Sequence, residues 1–465
     1  MKLREYQQQA VEGLRQAFRA GRKRVLLVAP TGAGKTVIFA HLTAALAAAG
    51  QRVLLLAHRD FLLDQIAETL AAVGVPCGFI AARRLPALHH RVQVASVQTL
   101  RNRLDVWRPD WIICDEAHHA TAGSWRMVLN AYQSARVVGV TATPQRLDGN
   151  GLGDVFEALV RGPEVRWLME QGFLSQARYF CPATVDTSGL RTRMGEYRAG
   201  DVDAACNTAR VTGEAVAHYR RLCDGAPAVA FCASIKHAEH VAETFRAAGY
   251  SWTSLDSSMS DAARRAAVEG LRTGSLHGIS SCDIISEGFD LPHVTAAILI
   301  RPTASLGLYL QQVGRVLRPA RGKERAVIID HVGNVGTMRD GEWIERHGFA
   351  EDIREWTLDG KTKKVKVDAV RLCQSCFAAM RGRTCPQCGT EVEFNERPLP
   401  GVADSGELEA VDPVAVRAMH RDEERGAQTL EDFKRIARAR GYKPGWAHYR
   451  FEARIARRTY KFSKT

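Results

Sequence analysis

Residues 29–36 read Ala-Pro-Thr-Gly-Ala-Gly-Lys-Thr, and Asp115-Glu116-Ala117-His118 follows in the same half of the chain. Few pairs of segments constrain a fold as tightly. A phosphate loop needs glycines so that backbone amides can approach and point at phosphates, and it needs a helix N-terminus behind them. It also needs a lysine for the outer phosphate oxygens and a hydroxyl for the metal. Thr31, Gly32, Ala33, Gly34, Lys35 and Thr36 meet these demands, between an apolar run and a helical pattern. Ala29 replaces the first glycine of the strict motif, so the loop is a variant form. Asp115 and Glu116 end the apolar run Trp111–Cys114, where one carboxylate can hold Mg2+ with Thr36 and the next can polarise a water. The pair implies hydrolysis of a nucleotide and requires an α/β domain around it.

Apolar periodicity extends that requirement to the flanking chain. Val25–Ala29, Val53–Ala57, Val92–Ser96, Trp111–Cys114 and Val137–Thr141 are short continuous apolar runs, the signature of buried parallel strands. Helical patterns such as Thr36–Ala49 and Phe61–Val73 alternate with them. The alternation returns after residue 205, with strands expected at Ala228–Cys232, His277–Ser281, Ala296–Ile300 and Ala326–Asp330. The expected organisation is a first α/β domain over 1–160, a connector over 161–205 and a second α/β domain over 206–345. A basic linker (346–370), a cysteine module (371–395), a Pro/Gly-rich linker (396–428) and a basic helical tail (429–465) follow.

Two further segments carry chemistry. In Gln311-Gln312-Val313-Gly314-Arg315-Val316-Leu317-Arg318 the two arginines fall three apart on one helix face, where both can reach a phosphate between the domains. Cys373-x2-Cys376-x8-Cys385-x2-Cys388 has the spacing of four thiolates around one Zn2+, a closed and hence structural site. Arg381 and Arg383 lie between the pairs, equally suited to phosphate contact or to solvent. The other seven of the eleven cysteines are scattered singly, unlike a secreted disulfide framework.

The net charge of +13 is uneven: Phe433–Thr465 holds eleven Lys or Arg against the single acid Glu452. Such a block seeks a polyanion, and its interleaved aromatics suit either base stacking or helix packing. Thr429 with Asp432 reads as a capping box opening the first tail helix, with Gly441 as its stop, and Pro444 begins a second running to about Thr459. No apolar stretch approaches the ~20 residues of a membrane span, and no hydrophobic leader follows Met1, so a cytoplasmic protein without membrane contact is expected.

In order, these segments closely resemble the motifs of superfamily 2 helicases and translocases over roughly residues 1–335. Leu3–Gln7 looks like the adenine-recognition motif, with Glu5 where proline is usual. Ala57-His58-Arg59 with Gln65, Ser96–Thr99 and Phe231–Ser234 resemble strand-contacting motifs, and Ile285–Pro292 the fifth motif. Asp115–His118 is the DEAH box, and Thr141–Pro144 the motif after it. Within the superfamily the chain looks most like RadD-type bacterial and phage DNA helicases, through Ile300–Ser305, Tyr309 and Ile328–Asn334.

The resemblance implies two tandem RecA-like domains. It implies that Gln7 reads adenine beside Arg4 and Tyr6, and that Lys35 and Thr36 hold phosphate and Mg2+. Asp115 would bind the metal, Glu116 act as general base, and Arg315 and Arg318 act as arginine fingers. Gln311, His118, Thr141 and Thr143 would couple water to the domain interface, and Gly288 and Asp290 would sense nucleotide. His58, Arg59, Ser96, Gln98, Thr99 and Ser234 would contact nucleic acid. The expectation is an ATP-driven DNA helicase or translocase in repair, recombination or phage replication, a monomer using ATP, Mg2+ and Zn2+. A duplex translocase that leaves strands paired, an RNA helicase and an ATP-gated binding scaffold are the alternatives.

Overall fold

The structure, a computed structural model, describes residues 2–391 except 59, 83, 147–148, 183–184, 186, 188, 194, 257, 283–290, 340–341, 361–362, 365–369 and 374. In the C-terminal segment it describes 424, 426–440, 445–452 and 454. The chain divides into two compact units, Met1–Glu393 and Phe394–Thr465.

The first unit holds two sheets. The first comprises β1 (Arg24–Val28), β2 (Val53–Ala57), β3 (Gly78–Ile80), β4 (Val92–Ser96), β5 (Trp111–Cys114), β6 (Arg136–Thr141) and β7 (Ala158–Arg161). Its order is β3-β4-β2-β5-β6-β1-β7 and every pairing is parallel. The continuous apolar runs are explained by burial on both faces: Val25, Leu27, Val53 and Leu55 enter one core, while Leu26, Val28, Leu54 and Leu56 enter the other. Helices α1 (Glu5–Arg19), α2 (Lys35–Ala48), α3 (Asp60–Ala72), α4 (Val97–Leu100) and α5 (Gly123–Ala131) supply the layers.

The segment expected to connect the domains is structured. Helix α6 (Val165–Glu170) leads to β8 (Ala177–Phe180), which pairs in parallel with β15 (Ala326–Asp330) of the second sheet. A small hairpin, β9 (Thr192–Arg193) with β10 (Glu196–Tyr197), and helices α7 (Ala199–Cys206) and α8 (Ala209–Cys223) follow. The remaining parallel strands are β11 (Ala228–Phe231), β12 (Trp252–Leu255), β13 (Gly278–Ser281) and β14 (Ala296–Leu299), with helices α9 (Ile235–Ala247), α10 (Asp261–Thr273) and α11 (Leu306–Val316). Val229 and Phe231 face one core, Ala228 and Ala230 the other.

After the hairpin β16 (Gly336–Arg339) and β17 (Glu342–Glu345), the expected linker is a strap laid back over the first sheet. Its β18 (Arg354–Glu355) pairs with β19 (Lys363–Lys364). Trp356 and Leu358 pack on the core of the first sheet. Gly153 N donates to Leu358 O at 2.8 Å, Arg161 Nη2 to Trp356 O at 2.9 Å and Gln145 Nε2 to Gly360 O at 2.5 Å. The cysteine module is likewise joined to the body of the first unit. Its β20 (Arg371–Leu372) and β21 (Ala378–Met380) extend the second sheet, β21 antiparallel to β8.

In the second unit, α12 (Leu430–Arg440) opens on a reciprocal cap: Asp432 N donates to Thr429 Oγ1 at 3.2 Å, and Thr429 N to Asp432 Oδ2 at 2.9 Å. Phe433 and Ile436 bury against Ala447, with Trp446 and Phe451 alongside. These aromatics bind the helices to each other rather than standing free for bases, whereas Tyr449 is exposed. Arg450 pairs with Glu424. Gly441, Pro444, Tyr442, Tyr460 and Phe462 lie outside the described residues.

Candidate functional site

The loop from β1 to α2 lies at the carboxyl edge of the first sheet, as does the end of β5, where α/β folds bind ligands. Gly32 (φ 89°) and Gly34 (φ 77°) take left-handed backbone that turns the chain into the N-terminus of α2. Lys35 Nζ donates to Ala29 O at 3.3 Å, and burial holds its pKa below the usual lysine range against the pull of Glu116 and Asp115. Tyr6 Oη and Gln7 Nε2 both donate to Ala33 O, at 3.1 and 3.2 Å, and Gln7 Oε1 accepts from Arg4 N. Arg4 lies over the Phe173 ring and Tyr6 packs edge-on to Trp167.

Burial, and then Glu116 beside it, push the Asp115 carboxyl up to about 7. Such a buried acid favours a bound cation over its own ionisation in isolation. Glu116 is left-handed (φ 49°), a strained conformation for a residue with a β-carbon. That turn places His118 Nδ1 3.5 Å from Glu116 Oε2 and 3.4 Å from Thr141 Oγ1. Thr141 Oγ1 donates to Thr143 O, and a methyl on Gly307 would stand 2.9 Å from Thr143 Oγ1. The acidic pair, His118, the two threonines and the start of α11 therefore form one contiguous path.

Helix α11 closes the site from the second half. A β-carbon at Gly314 would meet Thr31 Cβ at 2.5 Å, so helix and phosphate loop touch. One at Gly32 would lie 3.6 Å from Arg318 Cγ and 2.7 Å from Leu174 Cδ2. Arg315 and Gln311 are buried, and Arg315 and Arg318 both act electrostatically on Lys35. Sequence reasoning missed Leu174 and Ser175, which carry no motif. Their only signal is the left-handed Gly172 that ends α6 just before them.

Among the described strand-contact candidates only Gln98 is exposed. Ser96 is buried, and Thr99 Oγ1 accepts from Ala82 N at 3.2 Å. Ser234 caps α9, accepting from His237 N at 3.0 Å and donating to Asp203. The His58 ring packs on His119. Arg59, Gly288 and Asp290 lie outside the described residues.

The four cysteine Sγ atoms lie within 4.8 Å of one another, with Cys373–Cys388 and Cys376–Cys385 each 3.6 Å apart. A tetrahedral Zn–S shell of about 2.3 Å implies edges of about 3.8 Å, so the set fits zinc. Arg381, even-handed by sequence, has a structural task. It donates to Asp352 Oδ1 at 2.6 Å and lies over the Phe349 ring. Arg354, buried in the same knot, donates to the carbonyls of His347, Phe349, Ala350 and Asp352.

No helix among the described residues is long and apolar enough to cross a membrane. The family model described as type III restriction enzyme, res subunit, matches residues 1–146, and that of the helicase conserved C-terminal domain matches residues 214–320. A Lactococcus phage protein described as a 51.5 kDa protein is 30% identical over 423 residues, covering 89% of this chain and 88% of its own. A Saccharomyces cerevisiae protein named "Putative ATP-dependent helicase IRC3" is 27% identical over 354 residues, 71% of this chain; the chain spans only 51% of that relative. A solved structure of the ATP-dependent Type ISP restriction-modification enzyme LlaBIII bound to DNA shares the fold, with TM-score 0.54 and 17% identity over 76% of this chain and 29% of its own. With one half matched by the restriction-enzyme res-subunit model and the other by the helicase C-terminal model, both meeting at one phosphate loop, this ATP-hydrolysing chain belongs to helicase superfamily 2.

Proposed function

We propose that the protein is a DNA-directed motor, in which ATP binds between the two halves and its hydrolysis moves the second half along or against a DNA strand. The seat of α11 on the phosphate loop supports this reading: Arg315 in that helix and Arg318 two residues past its end both act electrostatically on Lys35, and Arg318 Cγ lies close to Gly32. Lys35 and Thr36 would hold phosphate and Mg2+, with Asp115 as the metal's carboxylate. Glu116, steered by its strained turn and by His118, would take the proton of the attacking water. Arg315 and Arg318 would meet charge developing on the transferred phosphoryl, a contribution on the order of 10³–10⁵ in rate when one arginine does so. Zn2+ would be held by Cys373, Cys376, Cys385 and Cys388 as a structural ion.

DNA is favoured over RNA by the restriction-enzyme family description over 1–146 and by the DNA in the LlaBIII structure. A second reading is translocation on duplex DNA without strand separation. The setting proposed is repair, recombination or phage replication, the last supported by the phage relative.

The test is ATP hydrolysis by purified protein with no nucleic acid and with single-stranded, duplex and forked DNA and RNA, beside Lys35→Ala. Stimulation by one DNA class names the track. Equal rates throughout, still abolished by Lys35→Ala, leave an ATPase and remove the motor.

A further inference from the structure

One cation of the second half carries a function that no motif assigns. Lys323 follows α11 by a turn, and its Nζ is ringed by backbone carbonyls. It donates to Val316 O at 2.6 Å and Arg318 O at 2.8 Å, at the end of the arginine helix. It also reaches Val294 O at 2.6 Å and Pro292 O at 3.5 Å, on the segment that leaves the fifth motif. Burial, with the Arg318 charge nearby, lowers its pKa to about 7.

Two features separate this lysine from an ordinary solvated cation. A helix C-terminus leaves its last carbonyls without intrahelical partners, and an ammonium there satisfies them and opposes the helix dipole. Here the three carbonyls in question belong to consecutive residues around the second arginine. Val316 O and Arg318 O go to Lys323, and Leu317 O accepts from Ser175 N at 2.7 Å. Leu174, next to that serine, lies against Gly32 of the phosphate loop. The backbone bearing Arg318 is therefore clamped from both sides, by an ammonium and by a segment that itself touches the nucleotide cradle.

We propose that Lys323 is a positioning residue for hydrolysis: its ammonium ties the end of the arginine helix to the chain leaving the fifth motif and so fixes Arg318 against the phosphate loop. The inference rests on the reading of Arg318 as a phosphate-facing arginine. Loss of the Lys323 ammonium should lower the rate of the chemical step while ATP still binds, because its four described hydrogen bonds go to carbonyls of Pro292, Val294, Val316 and Arg318 and not to the phosphate loop. Displacement of about 1 Å at a catalytic group can cost about 10²-fold, so a fall in kcat of at least about tenfold is expected for Lys323→Met, with KM for ATP little changed.

The experiment compares Lys323→Met, Lys323→Gln and Lys323→Arg with Arg318→Ala and with the double variant Arg318→Ala/Lys323→Met. Steady-state ATP hydrolysis is measured with and without a single-stranded DNA oligonucleotide, and thermal melting on the same samples. The expected result has three parts. The Met and Gln variants lose kcat with KM kept, Arg regains part of the loss, and Met adds almost nothing once Arg318 is gone, the non-additivity of two groups acting as one. Additive losses in the double variant, or wild-type kcat in Lys323→Met, overturn the proposal. So does failure of both the Met and Gln variants to fold, which would make the ammonium a general structural tie. A wild-type rate in Arg318→Ala instead removes the arginine reading itself. A slow Arg318→Ala beside an unaffected Lys323→Gln removes only the role of Lys323.

Discussion

Gly314→Ala separates the geometry of the cleft from the stability of the fold. A methyl there would stand 2.5 Å from Thr31 Cβ and 2.9 Å from its Cγ2. Carbon atoms rest about 3.5–4.0 Å apart, so α11 and the phosphate loop must part by roughly 1 Å. Thr31 is buried and belongs to the turn of the cradle, so it cannot swing aside as a long side chain would. The helix itself gains from the exchange, since alanine is worth about 1 kcal/mol over glycine in a helix interior, and that offsets much of an overpacking cost of about 1–3 kcal/mol. Melting should therefore change little. Hydrolysis should not be spared: an arginine moved by about 1 Å forfeits about 10²-fold in rate. The assay is DNA-stimulated ATP turnover at saturating ATP, with binding of a fluorescent ATP analogue and thermal melting in parallel. A variant that melts normally and hydrolyses ATP at a rate close to wild type would refute the seating of α11 on the loop as the working geometry.

Three further outcomes follow from the same coordinates. Cys385→Ser should abolish bound zinc, measured by metal analysis of the purified chain, and should lower the melting temperature. Cys373 and Cys385 are buried in the core that holds Phe180 and Ile329, and a wild-type chain isolated without zinc would contradict the assignment. Arg381→Met removes the 2.6 Å ion pair on buried Asp352 and leaves that carboxylate the more distant Arg354 guanidinium at 4.0 Å, which should cost about 1.5–3 kcal/mol in urea unfolding; an altered salt dependence of DNA binding in this variant would instead return Arg381 to phosphate contact. Burial lowers His237 to about 4 and His331 to about 3. Both stay neutral in the folded chain and take up protons on unfolding below pH 6.5, so stability is lost as pH falls, by about 2 kcal/mol per histidine between pH 7 and 5. Urea midpoints across that range should show the slope, and His237→Gln should flatten it.

The strands most legible in the sequence were those buried on both faces. β2, β4 and β5 begin and end where their apolar runs do, because both sides of each strand meet a core. β3, with three residues, and β8, inside an irregular stretch, gave no such signal. β8 is a strand through its pairing with β15 and β21, which lie far away in sequence. The phosphate loop and the DEAH turn were legible because their chemistry is local. Lys323 was not, since its partners are carbonyls and any residue type can supply a carbonyl. Arg381 stayed undecided for a related reason: its partner Asp352 lies in a stretch that read as linker.

The strap has a consequence for movement. The halves are joined by the chain through α6 and again by Trp356, Leu358 and the backbone contacts of Gly153 and Gly360. A body hinged along one edge swings freely, whereas one held at a second place can only rock through the slack of that second tether. In the proposed motor each turnover would then work within a short gait, unless the strap peels from the first sheet and gives up the apolar contact of a tryptophan and a leucine.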